Sequence, residues 1–236
     1  MPKKSSEGAQ TVSGLVMSEI RRAILEGTIA PGEHLRQEAI AERLEVSRFP
    51  VREALQRLVS EGTVVYDRNR GYFVAQMGAE DMRQVYLMRE LLETELVTSM
   101  RPMAEADVDR LAALNDDIRK AAEAGDFYAF AEANRGFHFL LYAQSPLHLV
   151  LAEVERLWNL SEQYRALYLY RGEAQQQIIE EHERVIDAVR ANDRARCARI
   201  LSEHRRAAEE EVCGRLTLRD RRASRSPLRA GRAHPG

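Results

Sequence analysis

Residues 46–62 read VSRFPVREALQRLVSEG. Val51, Ala54, Leu55, Leu58 and Val59 recur at helical spacing and predict a buried stripe. Ser47 stands where an N-cap belongs, Pro50 falls in the first turn where a missing N–H is tolerated, and Gly62 stops the helix. Ser47, Arg48 and Arg52 cluster on the other side, near the helix start. A short helix thus carries both an anchoring face and a cationic one.

Working outward, Val12, Leu15, Val16, Ile20, Ala23 and Ile24 keep a helical period up to Gly27. The stretch TIAPGEHL turns at Pro31-Gly32, and QEAIAERL gives a second short helix. After Gly62, TVVYDRNRGYFVA alternates apolar residues and breaks at DRNRG, which predicts a two-stranded hairpin. Helix, helix, turn, helix, hairpin is the order of a winged helix-turn-helix, here within residues 10–76. From residue 79 no strand pattern appears. Amphipathic stretches cover 79–101, 105–124, 126–144, 147–170, 174–191 and 194–213, broken at Pro102, Gly125, Pro146 and Gly172. Short connections between long helices predict an antiparallel all-α bundle over 79–213. Residues 1–9 and 214–236 read as flexible tails.

Bulk properties narrow the classes. The chain has 236 residues, 44% hydrophobic and 31% charged, with no apolar run of the roughly 18 to 20 residues that span a bilayer. The N-terminal MPKKSSEGAQT lacks the apolar segment of a secretory leader. Cys197 and Cys213 on one helix would lie about 24 Å apart, too far for a disulfide. A reduced, cytoplasmic protein with no membrane association is expected. Net charge is −2, yet residues 1–76 hold 11 Lys/Arg against 10 Asp/Glu, and residues 214–236 hold seven arginines and one aspartate. The acidic excess therefore lies in the helical body. Bulk charge does not announce a nucleic-acid binder, so local geometry must.

That geometry exists in the head. An arginine near the start of a recognition helix can fork onto guanine O6 and N7 or clamp a phosphate. Arg68, Asn69 and Arg70 at the hairpin tip reach for the minor groove or backbone, and Gly71 permits close approach. The alternative is an ordinary helix whose Arg48 and Arg52 pair with Glu45 and Glu53. In the body, Asn134 and His138 share a helix face at i, i+4. His182 and His204 each lie 11 residues from Asp193, at the predicted turn between two helices, so both stand about 16 Å from that turn at one height. Three imidazoles plus an amide or carboxylate oxygen suit a divalent transition metal, zinc or nickel. The alternative is three unrelated histidines, each hydrogen-bonded near a core. His34, His148 and His234 fall outside this arrangement.

The stretch ILEGTIAPGEHLRQEAIAERLEVSRFPVREALQRLVSEGTVVYDRNRGYFVA resembles the N-terminal domain of GntR-type transcription regulators. The resemblance implies that Ser47, Arg48, Arg52 and Gly71 contact operator DNA. It departs at Glu45, where glycine is usual and a left-handed residue would cost about 1 kcal/mol, and at Glu38, where some members carry an arginine. The pattern RELLETELV, NRGFHFLLYAQS and EEHERVIDAVRANDRARCARILSEH, over residues 80–212, resembles the FCD ligand-binding domain of the FadR subfamily. That resemblance gives Asn134, His138, His182 and His204 the metal positions, with Asn134 a neutral ligand where aspartate is usual. It also implies a small organic acid as effector. Arg89 could fork onto its carboxylate or pair with Glu93; Asn159, Ser161 and Tyr164 could line a polar cavity. The expected protein is a homodimeric, non-enzymatic repressor on a near-palindromic operator. A metal-responsive regulator and a helical-bundle metalloenzyme are the rival readings.

Overall fold

In the computed structural model, which describes residues 11–168 and 173–225, the chain divides between Gln76 and Met77 into two units. The first opens on α1 (Val12–Leu25), where the Thr11 hydroxyl accepts from the Gly14 N–H at 3.2 Å and caps the helix. Strand β1 (His34–Leu35), α2 (Gln37–Arg43) and α3 (Arg48–Ser60) follow, and the hairpin β2 (Val64–Asp67) and β3 (Gly71–Val74) closes the unit. The expected hairpin gains a third strand: β1 pairs antiparallel with β3, His34 opposite Phe73. Two residues leave no alternating pattern, so periodicity misses them. Val16, Ile20 and Ile24 of α1 pack with Val51, Ala54, Leu55 and Leu58 of α3 over Val64 and Val74. Val59 lies at the edge of this core, only partly buried. Glu45, between α2 and α3, has φ 54°, the left-handed conformation for which a residue other than glycine is penalised.

The second unit is all helix: α4 (Ala79–Ser99), α5 (Glu105–Ala124), α6 (Phe127–Tyr142), α7 (His148–Tyr168), α8 (Glu173–Arg190) and α9 (Arg194–Arg225). Gly125 ends α5 at φ 67°, and Asp126 caps α6 by accepting from the Ala129 N–H at 2.9 Å. At the α8–α9 turn Asn192 takes φ 51°, and Asp193 accepts from the Arg196 N–H at 2.9 Å. The break expected at Gly172 lies outside the described residues. Helices α8 and α9 run antiparallel, tied by Glu181–His204 and Arg184–Glu203. So do α4 and α9, where Glu90 meets Ser202 and Ala79 meets Asp220. Phe130, Phe137, Leu141, Trp158 and Val185 are fully buried between the helices.

The expected tail from Gly214 is corrected in part. Helix α9 runs through Gly214 to Arg225, because Leu216 is fully buried and two polar side chains find partners at the start of α4. The Asp220 carboxylate accepts from the Ala79 N–H at 3.3 Å, and Arg219 donates to the Met77 carbonyl at 2.9 Å. Tertiary contact extends a helix that its local composition does not announce. Residues 1–10 and 226–236 lie outside the described residues. Among those described, no helix is long and apolar enough to cross a membrane.

Candidate functional site

Helix α3 buries Val51, Ala54, Leu55 and Leu58 and leaves Ser47, Arg48 and Arg52 exposed. Ser47 holds the N-cap position with extended backbone, but its hydroxyl makes no capping bond. Arg48 pairs with Glu38 of α2 at 3.0 Å rather than with Glu45 or Glu53. Both side chains keep most of their surface in water, 71% and 63%, so the pair is weak and the guanidinium can be recruited elsewhere. Arg52 lines an open cleft with Gln56 of its own helix and Tyr66 and Tyr72 of the hairpin. At the hairpin tip, Asp67 accepts from the Asn69 N–H at 2.8 Å, and Arg68, Asn69 and Arg70 are all exposed. The Arg70 guanidinium lies 4.8 Å from the centroid of the Phe73 ring. Gly71 has φ 94°, and a Cβ there would meet His34 Nε2 at 3.0 Å. Hairpin geometry therefore accounts for this glycine without any ligand. The head presents a cationic helix tip and a cationic hairpin tip, both suited to a polyanion.

In the body, α6, α8 and α9 bring His138, His182 and His204 together. Their ring centroids are 5.0, 5.5 and 5.6 Å apart, and one ligand atom from each lies within 4.8 Å of the others. The matched heights of His182 and His204 place them side by side. Each Nδ1 has a partner: the Tyr142 hydroxyl for His138 at 3.3 Å, Asn115 Oδ1 for His182 at 3.2 Å and Glu181 Oε2 for His204 at 2.5 Å. A ring that donates from Nδ1 turns the lone pair of Nε2 toward the other side. Phe137 stacks on His182 at 3.9 Å and fixes its plane. Burial, reinforced by neighbouring imidazoles, pushes His138 and His182 well below the ordinary histidine range, so both are neutral, the form that ligates metal. Burial, the largest influence, would raise Glu181, but the interactions with His204, Gln177 and Arg184 together outweigh it and hold the carboxylate low.

The donor set suits a divalent transition ion. Two imidazole nitrogens on one tetrahedral ion stand about 3.3 Å apart, and His138 Nε2 and His182 Nε2 are separated by 3.2 Å. Asn134 is fully buried one turn before His138 on α6.

Beside the histidines, a cavity of about 10 Å³ is lined by Tyr86, Arg89, Glu93, His138, Tyr142 and Arg205, among others. That is at the lower limit for one water. Arg89 Nε donates to Glu93 Oε1 at 2.6 Å, its Nη1 donates to Ser161 Oγ at 3.0 Å, and its guanidinium lies 4.4 Å from the Trp158 ring centroid. Glu93 Oε2 accepts from the Tyr142 hydroxyl at 2.7 Å and from Arg205 Nε at 3.0 Å. Burial acts to raise Glu93, yet Arg89 and Arg205 bring it down to about 2. Of the two roles open to Arg89, pairing with Glu93 is the one observed, although the side chain still lines the cavity. Asn159 accepts from Arg135 at 3.1 Å and the Tyr164 hydroxyl accepts from the Met77 N–H at 2.6 Å; neither lines the cavity. Tyr142 and Arg205 escaped sequence reasoning, though they stand four residues after His138 and one after His204. Asn115 left no signal at all.

Two family models match the chain: "Bacterial regulatory proteins, gntR family" over residues 13–74 and "FCD domain" over residues 84–207. The HTH-type transcriptional repressor GlaR of Escherichia coli (strain K12) is 28% identical over 195 residues, covering 78% of this chain and 88% of GlaR. The HTH-type transcriptional regulator BphR of Paraburkholderia xenovorans (strain LB400) is 30% identical over 193 residues, 78% of each chain. The crystal structure of a transcriptional regulator GntR from Rhodococcus sp. RHA1 superposes with a TM-score of 0.70 at 26% identity, covering 86% of this chain and 97% of that one. McbR/YncC of E. coli, at 24% identity and a TM-score of 0.72 over 89% and 99% of the two chains, shares the fold.

Proposed function

Because the chain belongs to the gntR family of bacterial regulatory proteins and carries an FCD domain, it is a DNA-binding transcription regulator and not a metalloenzyme, and we propose that it is a homodimeric repressor controlled by a small ligand. The convergence of His138, His182 and His204 beside the buried Arg89–Glu93–Arg205 network carries this reading. The repressor sense follows the relative GlaR.

In this reading residues 10–76 read DNA, and residues 79–213 take up the ligand and pair the two copies. Ser47, Arg48 and Arg52 enter the major groove at the tip of α3, and Arg68, Arg70 and Gly71 lie along the backbone or minor groove. Two heads related by a two-fold axis read a near-palindromic operator. His138, His182 and His204, with Asn134 as a neutral oxygen donor, would hold zinc or nickel. A bound ion supplies a Lewis-acidic centre that can ligate the carboxylate of an organic acid. The cavity holds at most one water, so such an acid must open it and draw Arg89 away from Glu93. The ligand-bound body therefore differs from the closed one, and that difference is what a regulatory ligand requires, since equal affinity for two states shifts neither.

A second reading takes the metal itself as effector. The small cavity and the neutralised Arg89 favour it, because an ion needs no opening of the wall. One experiment separates the two. The operator is selected from random duplexes, and its binding is titrated by gel shift with metal, with chelator and with a panel of small organic acids. An acid that releases the operator only when metal is present supports the first reading; release or capture by metal alone supports the second. Operator binding indifferent to all three would overturn both.

A further inference from the structure

The α3 tip exposes an apolar ring beside its arginines. Phe49, the second residue of α3, is 69% exposed. At about 100° per residue it lies nearly opposite the mean direction of Val51, Ala54, Leu55 and Leu58, so it points straight away from the core. Arg52 and Arg48 lie to one side of it, about 60° and 100° round the helix, both exposed, and Gln56 continues the same face two turns on. A single apolar residue in water is common on any surface. This one occupies the place on the helix where a recognition helix puts the side chains that reach base edges.

What a phenyl ring can recognise there is narrow. It neither donates nor accepts a hydrogen bond. Among the base edges displayed in the major groove, thymine alone offers an apolar group, its C5-methyl. The guanidiniums beside it draw the duplex onto the same end of the helix, so the ring is pressed against the groove floor rather than left in solvent. We infer that Phe49 is a specificity residue, whose ring packs on a thymine methyl in each operator half-site. The inference rests on the proposed DNA-reading role of α3. Burying one methyl is worth about fourfold in affinity per half-site, and so about fifteenfold over two half-sites.

The full-length protein and a duplex it selects from a random pool provide the test. Each thymine is replaced by uracil, which removes the methyl and nothing else, at symmetric positions in both half-sites. The wild-type protein should lose about fifteenfold at one such pair of positions. Phe49→Ala, which disturbs no core residue, should bind the thymine duplex more weakly and cease to distinguish it from the uracil duplex there. Arg48→Ala should weaken binding to both duplexes and keep the preference for the methyl. The inference is overturned if wild type tolerates uracil at every position, or if Phe49→Ala discriminates as wild type does. Failure to select any duplex would overturn the DNA-reading role of α3 itself, an outcome distinct from a tightly bound operator whose methyls do not matter.

Discussion

Glu93 shows how one side chain can hold a site together. Its carboxylate is only 2% exposed and survives ionised because Arg89, Arg205 and Tyr142 all donate to it. Glu93→Gln would leave two buried guanidiniums without their counter-charge, and should lower stability by about 3–5 kcal/mol at neutral pH in urea unfolding. The pH dependence has a definite sign. Glu93 titrates at about 2 when folded against an ordinary 4.5, so its contribution is whole above about 4.5 and is lost as pH falls toward 2. The gap between wild type and Glu93→Gln should narrow over that window; a gap constant with pH would mean that folding leaves the Glu93 pKa unshifted. In the head the balance is reversed, because the charges are exposed and cost little to remove. Replacing Arg48 and Arg52 together with alanine should leave the melting temperature unchanged, since the Arg48–Glu38 pair is worth at most about 1 kcal/mol. Operator affinity should fall by at least about thirtyfold per half-site, at roughly 1–3 kcal/mol for each forked contact. Intact affinity would remove α3 from the interface. The spacing of Arg89 to Glu93 and the matched heights of His182 and His204 were legible because a helix is a ruler. Asn115 was not, since its partner His182 lies 67 residues away and no local pattern links them.

Helices α4 and α9 pose the questions that belong to whole elements. On α4, Leu87, Met88 and Leu91 keep 59%, 39% and 63% of their surface in water, an apolar patch on an outer face. A second copy of α4 crossing antiparallel about Arg89 would set Leu87 opposite Leu91 and Arg83 opposite Glu95, apolar against apolar and cation against anion. Leu91→Asp should therefore sediment as a monomer and keep its helical content, because nothing buried within one chain is disturbed. A Leu91→Asp protein that sediments like wild type would move the pairing surface elsewhere. On α9 the last three turns were not legible. The stretch is rich in arginine and contains Gly214, and its helical state depends on contacts made by Leu216, Arg219 and Asp220. A chain stopped after Cys213 loses the fully buried Leu216 and both polar ties to the start of α4. It should be destabilised by about 2–3 kcal/mol, read as a lower melting temperature. An unchanged transition would mean that these turns add no stability. Helix ends were legible where a breaker or turn residue announces them, at Gly125 and Asp193, and illegible where only packing extends the helix.

At the scale of the molecule, the histidine cluster and the α3 tip lie in different units, and regulation means a free energy that couples them. Binding of any ion at His138, His182 and His204 adds a tie from α6 to α8 and α9, which already meet through packing, the His138–His182 contact and the Glu181–His204 and Arg184–Glu203 pairs. An ion at a hundred times its dissociation constant should stabilise the protein by about 2.7 kcal/mol over the chelator-stripped form. His182→Ala should abolish that gain, whereas His148→Ala, outside the cluster, should not. Coupling to DNA carries a stricter demand, since linkage is reciprocal. If metal, or metal with an organic acid, changes operator affinity tenfold, the operator must change the affinity for that ligand tenfold in the same sense. Calorimetric titration of the ligand with and without the selected duplex measures this directly. Equal ligand affinity in both titrations, beside a shifted operator affinity, would trace the shift to something other than occupancy of this site. Equal affinities in both directions would leave the ion a structural role in the body and return the search for an effector to the rest of the helical unit.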